Sequence, residues 1–144
     1  MSPAVVPADI VHATCVAIAK RGLLIIGPSA SGKSALALAL MALGAKLVSD
    51  DRTLLLAKAG ILIAKCPATL RGVIEARGIG LIRAQSLASA KIALVVDLGQ
   101  TETDRLPPHR NTTLCGVTCD LVLGQKTPHF PSALMVYMMG GRSA

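Results

Sequence analysis

A chain of 144 residues with 52% hydrophobic content and a net charge of +7 has the length of one domain and the apolar material for a substantial core. Phe130 and Tyr137 are its only aromatic residues, which argues against single-strand or RNA recognition, where bases stack on aromatic side chains. The basic residues are scattered rather than gathered in a tract, so the charge suits anionic partners and marks no nucleic-acid patch.

Residues 1–9 hold two prolines and little periodicity and read as a flexible arm, leaving 10–144 as one domain. No basic region opens the chain, and the apolar segment that follows carries His12 and Lys20, which speaks against a signal peptide. Thr14 to Ala19 is an expected strand, Lys20-Arg21-Gly22 a turn, and Leu23 to Ile26 the hairpin partner. Gly27-Pro28-Ser29-Ala30-Ser31-Gly32-Lys33-Ser34 then reads G-x-x-x-x-G-K-S, the phosphate-binding loop of nucleoside triphosphate enzymes. The Ala- and Leu-rich run from Ser34 to Leu43 predicts a helix, with Gly44 as its C′ residue. Strand, loop and helix in that order let backbone N–H groups and the positive helix end converge on an anion, with Lys33 reaching outer phosphates and Ser34 holding Mg²⁺. The sequence thus predicts nucleotide or polyphosphate binding.

Lys46 to Ser49 predicts a short strand leading into Asp50-Asp51, and Thr53–Lys58 with Ile61–Ala64 a hairpin about Ala59-Gly60. Pro67 to Leu70 opens a short turn or helix, and an apolar strand follows from Val73, interrupted by Glu75. Gln85 to Ala90 reads as a loop, Lys91 to Leu98 as the strongest strand, and Gly99 to Asn111 as a polar connection. Thr112 to Leu123 is expected as a strand and Pro131 to Met139 as a terminal helix. A mixed α/β fold follows, with a central sheet carrying the loop and a helix on at least one face. The apolar run from Ala35 to Ala45 is too short for a bilayer, which takes ~20 residues. Cys15, Cys66, Cys115 and Cys119 show no C-x-x-C pairing and are expected as buried thiols, the last two on one strand face. A cytoplasmic protein fits this composition.

Phosphoryl transfer needs more than a phosphate loop: an anion to manage the metal and a group to orient or deprotonate the acceptor. Asp50 and Asp51 lie at the C-terminal end of a predicted strand, the end that faces ligands in α/β sheets. Adjacent strand residues point to opposite faces, so one carboxylate faces metal or acceptor while the other braces the loop; the local alternative is two solvated turn residues or a helix cap. Glu75 in an apolar strand needs either a metal or an ion pair with Arg77. Asp97 ends an apolar run as a metal-binding carboxylate does and rivals Glu75 for that role. Read locally, His12 is a lone histidine, and Arg105 is either a surface residue or a group that stabilises transferred phosphate charge.

Together V-H-A-T at residues 11–14, G-P-S-A-S-G-K-S, L-V-S-D-D at 47–51 and I-E-A-R-G-I-G-L-I at 74–82 resemble the bacterial HPr kinase/phosphorylase family. Members put phosphate from ATP on a serine of the sugar-transport carrier HPr, and many remove it by phosphorolysis. The resemblance implies that Lys33 binds phosphate, that Ser34 and Glu75 hold Mg²⁺, and that Asp51 is the proton acceptor. It makes His12 an active-site histidine and, through Asp104-Arg105-Leu106, Arg105 an active-site arginine. It leaves Asp97 a structural or secondary role. Most members carry a separate N-terminal domain; here the kinase-like domain begins close to Met1, as in short alphaproteobacterial forms. The family's P-V-R-P-G-R segment, linked to dephosphorylation, has no counterpart beyond Phe130–Leu134, so the resemblance implies the kinase half. Members are commonly hexameric, which leaves homo-oligomerisation open. The leading expectation is an ATP- and Mg²⁺-dependent serine kinase acting on an HPr-like phosphocarrier, sugar-type or nitrogen-type. A nucleotide-responsive regulatory module without transfer is the second reading. A small-molecule kinase, which would need an arginine-rich lid not evident here, is the third.

Overall fold

A short strand, β1 (Asp9–Val11), precedes the first hairpin, in which β2 (Thr14–Ile18) pairs antiparallel with β3 (Arg21–Ile26). The computed structural model describes residues 9–67 and 71–144. The expected N-terminal arm therefore lies outside the described residues apart from Asp9, as does the turn or helix expected at Pro67–Leu70 beyond Pro67. The hairpin turns earlier than expected, at Ala19-Lys20, whose φ values of 50° and 66° give the twist that suits a two-residue hairpin turn. Arg21 and Gly22 are thereby released into β3.

Helix α1 (Lys33–Ala42) forms where the Ala/Leu run predicts it. Gly44, at φ 113°, ends it: its N–H donates to Met41 O at 3.0 Å and the Ala45 N–H donates to Leu40 O at 3.0 Å. That pair of bonds is the Schellman closure, whose C′ position favours glycine. β4 (Lys46–Ser49) follows, then the hairpin β5 (Thr53–Lys58) and β6 (Ile61–Lys65) about Ala59-Gly60, as expected.

The stretch from Val73 is not one strand but a separate hairpin, β7 (Val73–Ala76) and β8 (Gly80–Arg83), turning at Arg77-Gly78-Ile79. β9 (Ser89–Thr101) is longer than expected at both ends, taking residues from the predicted Gln85–Ala90 loop and from the Gly99–Asn111 connection. The predicted strand at Thr112–Leu123 is likewise a hairpin, β10 (Arg110–Leu114) and β11 (Val117–Gly124). Cys115 sits in its turn at φ 49° beside Gly116, so it does not share a strand face with Cys119. Helix α2 (Phe130–Gly140) closes the chain. All four thiols are free; Cys15 and Cys119 are buried, but Cys66 and Cys115 are only half-buried, contrary to the expectation for all four. Burial pushes the Cys15 thiol far above its usual range, as an inert core residue requires.

Nine strands form one mixed sheet in the order β1-β5-β6-β9-β3-β2-β4, with β11 and then β10 continuing from the far half of β9. β9 runs parallel to both β3 and β11, and β2 is antiparallel to its neighbours β3 and β4. The C-terminal ends of β3, β4, β9 and β11 therefore lie along one edge. Alternation along the strands splits the core between the two faces. Val16, Leu23, Ile25, Leu94 and Val96 meet Leu36 and Leu40 of α1 and Phe130, Leu134 and Met138 of α2. Cys15, Leu24, Val48, Leu55, Leu62 and Val95 fill the other face. Each fully buried side chain of this size contributes about 1.5–3 kcal/mol, so the sheet that carries the loop is a rigid platform. No helix among the described residues is long and apolar enough to cross a membrane.

Candidate active site

The chain leaves β3 at Gly27, whose φ is 150°. A Cβ there would stand 2.7 Å from Ser31 Oγ and 3.2 Å from the Gly99 backbone nitrogen, so only glycine fits. Ala30 at φ 63° and Gly32 at φ 96° carry the loop round, and the Ser31 N–H donates to Pro28 O at 3.2 Å. Gly32 caps α1 without a side chain, and no acidic residue lies in the first turn. The first amides of the helix and its positive end thus point back at the loop uncompensated. Ser31 Oγ is buried and has no hydrogen-bond partner among the described residues. Lys33 is only 8% exposed, and its ammonium donates to Gly27 O at 2.9 Å and to Pro28 O at 3.0 Å. A buried ammonium is held where the loop's own carbonyls curl over it.

Asp50, at the end of β4, ties the surrounding elements to this loop. Its Oδ1 accepts from Ser34 Oγ at 2.7 Å and from Thr14 Oγ1 at 3.1 Å, and its Oδ2 accepts from the Glu75 N–H at 3.2 Å. One carboxylate therefore fixes the start of α1, the start of β2 and the β7–β8 hairpin. This is the bracing role expected of one member of the Asp50-Asp51 pair. The other member turns away. The Arg52 N–H donates to Asp50 O at 2.7 Å, closing a three-residue turn centred on Asp51 at φ 65°. The Asp51 N–H donates to Thr14 Oγ1 at 3.1 Å, and its side chain is exposed.

His12 is also exposed, at the centre of a second three-residue turn in which the Ala13 N–H donates to Val11 O at 3.0 Å. Thr53 Oγ1 donates to Ala13 O at 2.7 Å, so the turns of His12 and Asp51 are stitched together. Glu75 points outward from β7, and among the described residues it makes no ion pair with Arg77 or any other cation. The local alternative of a Glu75–Arg77 pair is not realised. Asp97 sits beside the loop, with Oδ1 accepting from the Gly99 N–H at 2.8 Å and Oδ2 from Gln100 Nε2 at 2.9 Å. Both oxygens are engaged in shaping the end of β9, which is a structural part.

Among the described residues no hydrogen bond brings Arg105 to this cluster. It is exposed on the loop after β9 and lines a separate cavity of about 370 Å³ floored by Leu121, Leu123 and Phe130. Glu102 orders that loop. Its carboxylate accepts from Arg110 Nε at 2.9 Å and Nη2 at 3.0 Å, and from the N–H groups of Thr103 at 3.1 Å and Asp104 at 3.2 Å. Arg110 holds the Glu102 carboxyl below the usual range, and Glu102 raises the guanidinium in turn. Two contributors escaped the sequence reading. Thr14 carried a visible signal, as a threonine opening an apolar strand just after His12. Glu102 had none, being one acid in a polar loop.

The family model described as the HPr Serine kinase C-terminal domain matches residues 4–118. The chain belongs to that family. Among its relatives, the HPr kinase/phosphorylase of Aromatoleum aromaticum is 36% identical over 114 residues, covering 70% of this chain and 36% of the relative. That of Mycoplasmopsis pulmonis is 39% identical over 84 residues, covering 58% of this chain and 27% of the relative. The chain thus spans about a third of the length of these curated relatives. The solved Hpr(Ser) kinase/phosphatase of Coxiella burnetii superposes with a TM-score of 0.76 at 26% identity, covering 91% of this chain and 94% of that one. The mixed α/β domain described above is therefore the fold of an HPr kinase structure, and the loop, Asp50-Asp51 and β7–β8 all fall within the stretch matched by the family model.

Proposed function

We propose that residues 10–144 form a cytoplasmic catalytic domain that transfers the γ-phosphate of ATP to a serine hydroxyl of an HPr-like phosphocarrier. The observation that carries this reading is the Asp50 carboxylate, which binds Ser34 and the Glu75 backbone at once and so sets the two expected metal-binding residues on either side of one anion. The loop suits a polyphosphate: the Ser31 hydroxyl is buried without a partner among the described residues, and Lys33 supplies a buried cation. Among the described residues no cluster of three or more His, Cys, Asp or Glu gathers. A cation at Ser34 and Glu75 would accordingly complete its shell with nucleotide and water oxygens, as Mg²⁺ does.

In this reading Gly27–Ser34 bind and orient the phosphates, and bound Mg²⁺ would neutralise charge on them. Asp51, exposed and free of side-chain hydrogen bonds among the described residues, takes the proton from the acceptor serine as its oxygen attacks the γ-phosphorus. The bond to the bridging oxygen breaks, and ADP leaves. His12 flanks Asp51 through the stitched turns, whereas Arg105, the arginine expected here, stays at the separate cavity and contributes no hydrogen bond to this cluster among the described residues. Most of the rate enhancement comes from positioning and charge stabilisation. The test is transfer of labelled γ-phosphate from ATP to a purified HPr-type carrier with Mg²⁺, using Asp51→Asn as control. Labelled phosphoserine that disappears in the variant, with nucleotide binding retained, is the expected result. Equal rates in both would remove Asp51 from the mechanism, and ATP binding without any label would favour a regulatory module.

A further inference from the structure

The β7–β8 hairpin carries apolar surface that the fold does not use. Ile74 is fully buried against the α1 face of the sheet, and its cross-strand partner Ile82 packs beside it. The opposite face is different. Register places Glu75 directly across from Leu81, and Val73 across from Arg83, so these four share the outward face. Leu81 is 76% exposed and Ile79, in the turn, 81% exposed. Arg77 and Arg83 flank them and are exposed. Large aliphatic side chains on a two-stranded hairpin invite aggregation unless something covers them.

We propose that Ile79 and Leu81, rimmed by Arg77 and Arg83, are the docking surface for the protein acceptor, and that they select its chemistry: an apolar patch edged with acidic side chains next to the phosphorylated serine. The inference rests on the transferase reading above and extends it to partner choice. Two observations identify the occupant as the acceptor. Leu81 lies one cross-strand step from Glu75, whose own N–H is tied to Asp50, so whatever covers Leu81 is held at the transfer site. The rim and the chain's net charge of +7 are both positive, which disfavours a second copy of this chain on the same face and favours an acidic partner.

The experiment compares wild type with Ile79→Ser, Leu81→Ser and the charge-reversal pair Arg77→Glu/Arg83→Glu. A purified HPr-type carrier serves both for steady-state transfer and for direct binding by titration calorimetry. The serine variants should raise the KM and Kd for the carrier about tenfold each while leaving the KM for ATP within about twofold, since an apolar anchor contributes only to binding. The charge-reversal pair should raise the carrier Kd and flatten its dependence on salt. Wild-type transfer with carrier KM and Kd unchanged in both serine variants would overturn the docking surface and leave the transferase reading standing. Binding without transfer, lost in Leu81→Ser, would overturn the transferase reading and sustain the docking surface. A wild type that neither binds nor phosphorylates the carrier would overturn both. A change in oligomeric state by light scattering, with carrier affinity unaltered, would assign the face to a second copy instead and overturn the proposal.

Discussion

Replacing Asp50 with asparagine tests whether one carboxylate holds the site together. The side chains are isosteric, so packing is unchanged and only hydrogen bonding and charge differ. If the asparagine keeps its oxygen toward Ser34 and Thr14, its NH₂ faces the Glu75 N–H and two donors oppose each other. If it flips, the Glu75 bond is kept and the NH₂ donates to the two hydroxyl oxygens, which must rotate and whose own protons lose their acceptor. One orientation loses a bond and the other reverses two, and in both the survivors become neutral. A bond to a charged acceptor contributes about 1.5–3 kcal/mol and a neutral one about 0.5–1.5 kcal/mol. Asp50 is half-buried, so solvent screening reduces the difference, and the substitution should cost about 1–2 kcal/mol. With a urea slope of about 2 kcal/mol/M, mid-range for a small domain, the midpoint should fall by roughly 0.5–1 M with the slope unchanged. Transfer should drop further than stability, by about 10–100-fold, because Ser34 and Glu75 lose their common reference. Urea titration of Asp50→Asn, Ser34→Ala and the double variant should return a coupling above about 0.5 kcal/mol. A midpoint shift near zero, with wild-type nucleotide affinity, would refute the bracing role.

Three other outcomes follow from the same geometry. Gly27→Ala places a Cβ 2.7 Å from Ser31 Oγ, so the loop must move; we expect about 1–3 kcal/mol of destabilisation by thermal melting and a nucleotide Kd raised at least about tenfold. Lys33→Ala should abolish nucleotide-dependent transfer while leaving the far-ultraviolet circular dichroism spectrum unchanged, and residual transfer near the wild-type rate would exclude Lys33 from phosphate binding. Glu102 has its carboxyl held low by Arg110, so the pair stabilises the fold above the ordinary carboxylate range and loses that contribution as pH falls through the lowered value. The stability gap between wild type and Glu102→Gln should therefore be constant near neutrality and close on acidification; a gap that widens as pH falls would contradict the assignment.

The parts of the site that were legible in the sequence are those whose chemistry is local. Gly27 to Ser34 announced itself because glycine positions, a lysine and a hydroxyl must occur at fixed spacing to line a phosphate. Gly44 was legible because only a C′ residue at positive φ closes the helix. Turns with an ordinary first residue were not. Ala59-Gly60 stood between two clear apolar runs, whereas Cys115-Gly116 lies between β-branched runs that read as continuous, and a cysteine at φ 49° carries no turn signal. Arg77-Gly78-Ile79 was hidden in the same way, and with it the fact that Glu75 faces outward and needs no ion pair. Glu102 was illegible for a different reason. Its importance arises from Arg110, eight residues later at the start of β10, whose guanidinium no local pattern assigns to it.

The sequence reading separated Asp50 from Asp51 by strand alternation, yet the structure separates them by other means. In a continued strand, Asp51 would point to the opposite face from Asp50. Instead β4 ends at Ser49 and the chain reverses over three residues, with Asp51 at φ 65°. That conformation is strained for a residue with a Cβ, by about 1 kcal/mol, though aspartate tolerates it better than most. Thr14 offsets the cost. Its buried hydroxyl accepts from the Asp51 N–H and donates to Asp50 Oδ1, so one oxygen fixes the carboxylate of the first acid and the backbone of the second. In the proposed mechanism the two acids have opposite requirements. A brace must have its oxygens satisfied, and a proton acceptor must leave one free. Glycine at position 51 would make the turn without strain but bring no carboxylate, and aspartate in strand register would bring one to the wrong face. An aspartate held in a tight turn by a neighbouring strand's hydroxyl meets both demands.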